Sequence, residues 1–142
     1  MLLDLPSCAQ EIAELYQVPI ELIAAVRVQE GGCVGERTTL PGKGKFDIGP
    51  MQINSWWFEE HSRSLGQFGI TVESVENNFC QNIAVAAYIL KKNYVSYGND
   101  WWNAISAYNL GRPDKGTKYL KSVLKNLQGV NHLIEPKCEK RI

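Results

Sequence analysis

The chain has 142 residues, with Lys plus Arg equal to Asp plus Glu at 15 each and a formal net charge of zero. That length suits a single domain over residues 1–142 with one sizeable core, and the charge balance argues against a nucleic-acid binder held by a broad basic surface. No apolar run is long enough to span a membrane.

The N-terminus, MLLDLPSC, lacks the charged and apolar regions of an intact signal peptide, so the expectation is a mature or trimmed form of an exported protein. PSCAQEIAELYQ reads as a first helix, with Ser7 and Gln10 as a capping box and Cys8, Ile12 and Leu15 on one face. PIELIAAVRVQEGG reads as a second, with Pro19 in its first turn and Gly31-Gly32 as its stop. The stretch from Cys33 to Gly44 is rich in glycine and proline and predicts a loop or small irregular hairpin. The motif FDIGPMQINSWW, Phe46 to Trp57, follows, and then a polar connection. A long helix from about Asn78 to Tyr97 is apolar nearly all round, which marks a central buried helix. DWWNAISAYN predicts a helix capped by Asp100, with Trp101, Ala104, Ile105 and Tyr108 on one face. A last helix over about Thr117 to Leu127 buries Leu120, Val123, Leu124 and Leu127 and ends at Gly129. The fold class is mainly α: about six helices around a central one, with a small irregular or β-hairpin lobe.

Cys8, Cys33, Cys80 and Cys138 form no CxxC pair and stand apart from His61 and His132, so zinc spacing is absent and no metal or cofactor is implied. An even number of scattered cysteines fits disulfides and an oxidising compartment, with buried thiols as the alternative. The pairing is open among three connectivities.

Glu30 follows Val26 by four residues and Ile23 by seven, which puts its carboxylate on an apolar helix face. It also ends its helix, where the dipole disfavours negative charge. Desolvation and dipole both raise its pKa, as a general acid requires; the alternative is a side chain leaning into solvent at a frayed end. Asp47 lies beyond the Gly/Pro-rich loop, followed by Gln52, Asn54, Trp56 and Trp57. Two acids with amides and indoles suit a glycan-cleaving cleft: one acid protonates the leaving oxygen, and the resulting oxocarbenium-like carbon needs stabilising.

DIGPMQINSWW resembles the D-x-G-x-[LM]-Q-I-N-S signature of the lysozyme-like superfamily, and VQEGG resembles the end of its catalytic helix. CQNIAVAAYIL and AISAYNLG resemble later motifs of the family 1 soluble lytic transglycosylases, in particular the small ones that accompany secretion systems, pili and conjugation machines. The resemblance implies a lysozyme-like α+β fold and cleavage of the β-1,4 bond between N-acetylmuramic acid and N-acetylglucosamine in peptidoglycan, leaving 1,6-anhydro ends. It implies Glu30 as acid and then base, and Tyr108 beside it. Gln52, Asn54 and Asn109 would meet substrate, and Trp57 would lie near the groove. Asp47 is either an ionised partner for the sugar cation or a turn residue beside Gly49. The resemblance also implies the pairing Cys8–Cys80 and, with it, Cys33–Cys138. A periplasmic monomer is expected, acting on glycan strands and serving a secretion, pilus or conjugation apparatus.

The sequence departs from the family pattern at Gly31, where serine is usual after the glutamate, at Pro50, and in YNLGRPDKG. Two other functions compete: a lysozyme-type hydrolase using Glu30 and Asp47, and a non-enzymatic peptidoglycan-binding protein on the same fold. GKGK, Gly42 to Lys45, is not a phosphate loop.

Overall fold

The computed structural model describes residues 5–59, 65–129 and 138; His61 and His132 lie outside them. Helix α1, Ala9–Tyr16, starts at Cys8, which makes no side-chain cap hydrogen bond, so the Ser7–Gln10 box does not form. The Cys8 sulfur is instead bonded to Cys80. Anchored there, α1 turns its alanines inward: Ala9 and Ala13 are buried, while Leu15, expected on the packed face, is 75% exposed. Small residues let the helix lie close against its neighbour.

Helix α2, Ile20–Glu30, buries Leu22, Ile23, Ala25, Val26 and Arg27. It stops where Gly31 takes the left-handed φ of 62° and returns its N–H to the Arg27 carbonyl. The glycine-rich stretch that follows is a hairpin. Strands β1, Arg37–Leu40, β2, Lys45–Ile48, and β3, Ile53–Asn54, form an antiparallel sheet in the order β1-β2-β3. Thr38 pairs with Asp47, and Asp47 with Asn54 across the next ladder. A 3₁₀ turn, Ser55–Phe58, leaves the sheet, with Asn54 as its cap.

The polar connection hides a short helix, α3, Val72–Asn77, closed by a capping box between Thr71 and Ser74. Its six residues are too few to show a period. Helix α4, Phe79–Ser96, is the central element: Ile83, Ala86, Ala87 and Leu90 are fully buried in the core. Helix α5, Trp101–Leu110, begins at Asp100, whose carboxylate accepts from the N–H groups of Trp102 and Asn103. Trp101 stacks on Tyr94 of α4. Helix α6, Thr117–Leu127, runs along α2, and its start lies so close to α5 that a Cβ on Gly116 would stand 1.9 Å from the Ser106 carbonyl oxygen. This is the mainly α arrangement with a small β lobe that the sequence predicts.

Disulfides join Cys8 to Cys80, tying α1 to α4, and Cys33 to Cys138, bringing residue 138 beside the end of α2.

Candidate active site

Ile23 and Val26 are fully buried, so Glu30, on the same face of α2, carries its carboxyl toward the interior side of the helix end. The hydroxyl of Tyr119, on α6, donates to Glu30 Oε2. Burial pushes the Glu30 carboxyl up from 4.5 to about 7; the Tyr119 hydrogen bond pulls against this, and the like charge of Asp47 adds to it. A carboxyl in this setting is still protonated in a large share of molecules near neutral pH.

Asp47 sits at the middle of the sheet lobe, on β2, half-buried. Asn54 Nδ2 donates to its Oδ1 at 3.1 Å, while Asn54 Oδ1 accepts from the Trp56 N–H at 2.9 Å. Both ends of that amide are thus engaged, which fixes Asp47 from across the ladder. Burial raises the Asp47 pKa, and the Asn54 hydrogen bond lowers it.

Between these acids lies a cleft of about 230 Å³. Glu30, Asp47, Gln52, Asn54, Tyr108 and Asn109 line it, and Leu40, Pro41 and Lys43 of the hairpin form its lip. Gln52 adopts a left-handed φ of 53° and donates from Nε2 to the Gly49 carbonyl at 3.0 Å. Tyr108 donates to the Met51 carbonyl at 2.7 Å, and burial, then the charges of Glu30 and Asp47, push its pKa upward. Its proton therefore stays in place. Trp57 is not brought to this cleft: its ring meets Trp56 and Tyr88 edge-on and packs against the core. A wider hollow of about 550 Å³ beside α1 and α5 has Glu14 and Glu21, both exposed, as its only carboxylates, with Lys91 also in its lining.

The end of α2 is fastened to the β2–β3 turn at several points. The Pro50 carbonyl accepts from the Gly32 N–H and from Arg27 Nη1, each at 3.2 Å. A Cβ on Gly32 would stand 2.0 Å from the Gly49 oxygen and 2.6 Å from Gln52 Nε2, so only glycine permits this approach. Asn82, fully buried on α4, accepts from the Met51 N–H at 2.8 Å and donates to the carbonyls of Ile48 and Val75. One amide thereby holds the turn that carries Met51 and Gln52.

Two of these residues escape sequence reasoning. Tyr119 lies beside the Leu120 and Leu124 stripe, but Tyr119, Val123 and Asn126 form a second face at i, i+4 and i+7. That face meets α2: Asn126 Nδ2 donates to the Ala25 carbonyl and to Gln29 Oε1. Asn82 is a polar residue inside an apolar helix, the one available signal. Gly31, where the family pattern has serine, owes its place to the left-handed backbone.

The profile of the transglycosylase SLT domain matches residues 7–122. Protein IpgF of Shigella flexneri is 31% identical over 111 residues, 78% of this chain and 70% of that protein. Invasion protein IagB of Salmonella typhi is 28% identical over an alignment of 143 residues, 95% of this chain and 84% of that protein.

Proposed function

The chain belongs to the transglycosylase SLT domain family, and on that premise we propose that it is a peptidoglycan lytic transglycosylase, cutting the MurNAc-β-1,4-GlcNAc bond to leave 1,6-anhydro ends. The observation that carries this is the Glu30 carboxyl, raised to about 7 and held by Tyr119 at the edge of a cleft that also contains Asp47. Protonated Glu30 gives its proton to the glycosidic oxygen as the bond to C1 breaks. The carboxylate so formed takes the proton of the muramic acid 6-hydroxyl, and that oxygen closes on C1. Proton and bond balance without water entering, and one glutamate serves both steps.

Asp47, held by Asn54, stabilises positive charge at C1 across the cleft. Tyr108 keeps the Met51 carbonyl in place and with it the backbone of Gln52, whose amide meets the sugar together with Asn109. The protein works as one domain and a monomer in the periplasm. The disulfides suit that compartment, and no helix among the described residues is long and apolar enough to cross a membrane. Likeness to an invasion protein supports a role in opening the wall locally for a secretion system, pilus or conjugation machine.

A second reading is a muramidase in which Asp47 assists attack by water; the presence of both carboxylates in one cleft favours it. Digestion of purified peptidoglycan by wild type and Glu30→Gln, with the fragments weighed, separates the two. Anhydro ends, absent with the variant, are expected. Fragments heavier by one water would make the protein a hydrolase.

A further inference from the structure

The GKGK stretch has no part in the chemistry above, yet the fold brings one of its lysines to the cleft. Residues Pro41–Gly44 form the turn between β1 and β2, closed by the Lys43 N–H on the Leu40 carbonyl at 3.2 Å. Gly42 and Gly44 flank Lys43 with φ of 75° and 64°. A Cβ at either would meet nothing within 4 Å, so it is the left-handed backbone, not crowding, that these glycines serve. The two lysines of the stretch have different fates. Lys45 Nζ is bonded to Glu59 Oε2 at 2.6 Å. Lys43 is exposed, makes no ion pair among the described residues, and stands at the lip of the cleft.

Everything else lining that cleft is acidic or neutral: Glu30 and Asp47, with amides, a phenol and apolar hairpin atoms. The walls alone would repel a negatively charged strand. A muramyl residue differs from a glucosaminyl residue by a lactyl ether. That arm either ends in a carboxylate or continues into a peptide that carries carboxylates. An ammonium on a flexible stem, set outside the amides that meet the ring, is suited to such a group.

Resting on the transglycosylase reading, we propose that Lys43 forms an anion subsite at the lip of the cleft that takes the carboxylate of a muramyl side arm. The hairpin thereby sets which sugar of the alternating strand lies next to Glu30.

The test compares binding by Glu30→Gln and by Glu30→Gln/Lys43→Met to insoluble glycan of three kinds: peptide-bearing sacculi, amidase-stripped strands with free lactyl carboxylates, and the same materials methyl-esterified. Loss of Lys43 is expected to weaken binding about three- to fivefold on carboxylate strands at low salt, the scale of a partly exposed ion pair. The loss should shrink as salt rises and be under about twofold on the esters. A loss confined to stripped strands assigns the lactyl carboxylate; one confined to peptide-bearing strands assigns the stem peptide. Equal weakening on esterified strands, or none anywhere, overturns the subsite. Circular dichroism of both variants checks that the fold survives. Failure of wild type to release anhydro ends would instead overturn the transglycosylase reading, while the binding contrast would still decide Lys43.

Discussion

The hydroxyl of Tyr119 donates to Oε2 of Glu30 across 89 positions of sequence, so the last helix of the fold supplies the partner of the proposed acid. That bond favours the ionised form and opposes burial. Tyr119→Phe is therefore expected to raise the Glu30 pKa by about one unit, from the worth of a hydrogen bond to a charged group. The alkaline limb of the pH–rate profile should move to higher pH, and kcat at its plateau should fall as the carboxyl loses its orientation. Peptidoglycan digestion followed across pH checks both; an unmoved limb would show that Tyr119 does not act on Glu30.

Glu30→Gln should lower activity by about 10²–10⁴-fold, the usual contribution of a positioned acid. It should also change stability in a pH-dependent way. A carboxyl whose folded pKa is raised is protonated in both states at pH below its unfolded value near 4.5, and costs nothing there. Between 4.5 and about 7 the unfolded chain ionises and the folded one does not, so wild type loses stability as pH rises. Above that window the variant should be the more stable protein by up to about 3 kcal/mol, less what the open side of the cleft screens. Denaturant melts at pH 4 and pH 8 measure the difference.

Much of this is legible in the amino-acid sequence. Ile23 and Val26, at seven and four residues before Glu30, place that side chain on a packed face, and the apolar circumference of α4 marks it as central. Paired alternation along a strand cannot show that Asn54 reaches Asp47, because register is set by the turn between them. Tyr119 and Asn82 are hidden for a related reason. Periodicity reports which face is buried, not which polar atom on that face finds a partner. The rotated face of α1 comes from a covalent constraint, the Cys8–Cys80 bridge, that no hydrophobic pattern encodes.

Asn82→Leu removes an amide that serves the Met51 N–H and the carbonyls of Ile48 and Val75. Leaving such groups buried without partners should cost about 2–4 kcal/mol, or roughly 5–15 °C in Tm for a chain of this size. Activity at a temperature where the variant is folded should fall too, since the same amide holds the Gln52 turn. A thermal melt with a single-temperature assay separates the two effects.

The adjacent glycines should differ sharply. Gly31→Ser restores the family's residue at φ 62°, where a Cβ meets no atom closer than the Val28 carbonyl oxygen at 3.9 Å, so its main cost is the left-handed backbone, about 1–2 kcal/mol. Gly32→Ala drives a methyl onto the Gly49 carbonyl and the Gln52 amide, where backbone must move. It should be the worse of the two in both stability and KM. Equal melting temperatures for the pair would contradict the close approach.

Removing the Cys8–Cys80 bridge by Cys8→Ser/Cys80→Ser should cost about 2–5 kcal/mol. The bridge spans 72 positions and holds α1 against α4. The lost stability should appear in chemical unfolding, and the double variant should melt at one temperature with or without reductant only if Cys33–Cys138 is also absent.

The reach of Tyr119 back to Glu30 has a consequence for synthesis. A ribosome emits Glu30, the hairpin and Asp47 early, yet the group that steadies the acid belongs to α6 and arrives after nearly all the rest. Contacts between residues this far apart in sequence slow folding, because the chain between them must close first. A nascent or truncated chain ending before α6 would hold both carboxylates and most of the cleft and still lack the hydroxyl that meets Glu30. On the transglycosylase reading, full activity would wait for the finished polypeptide.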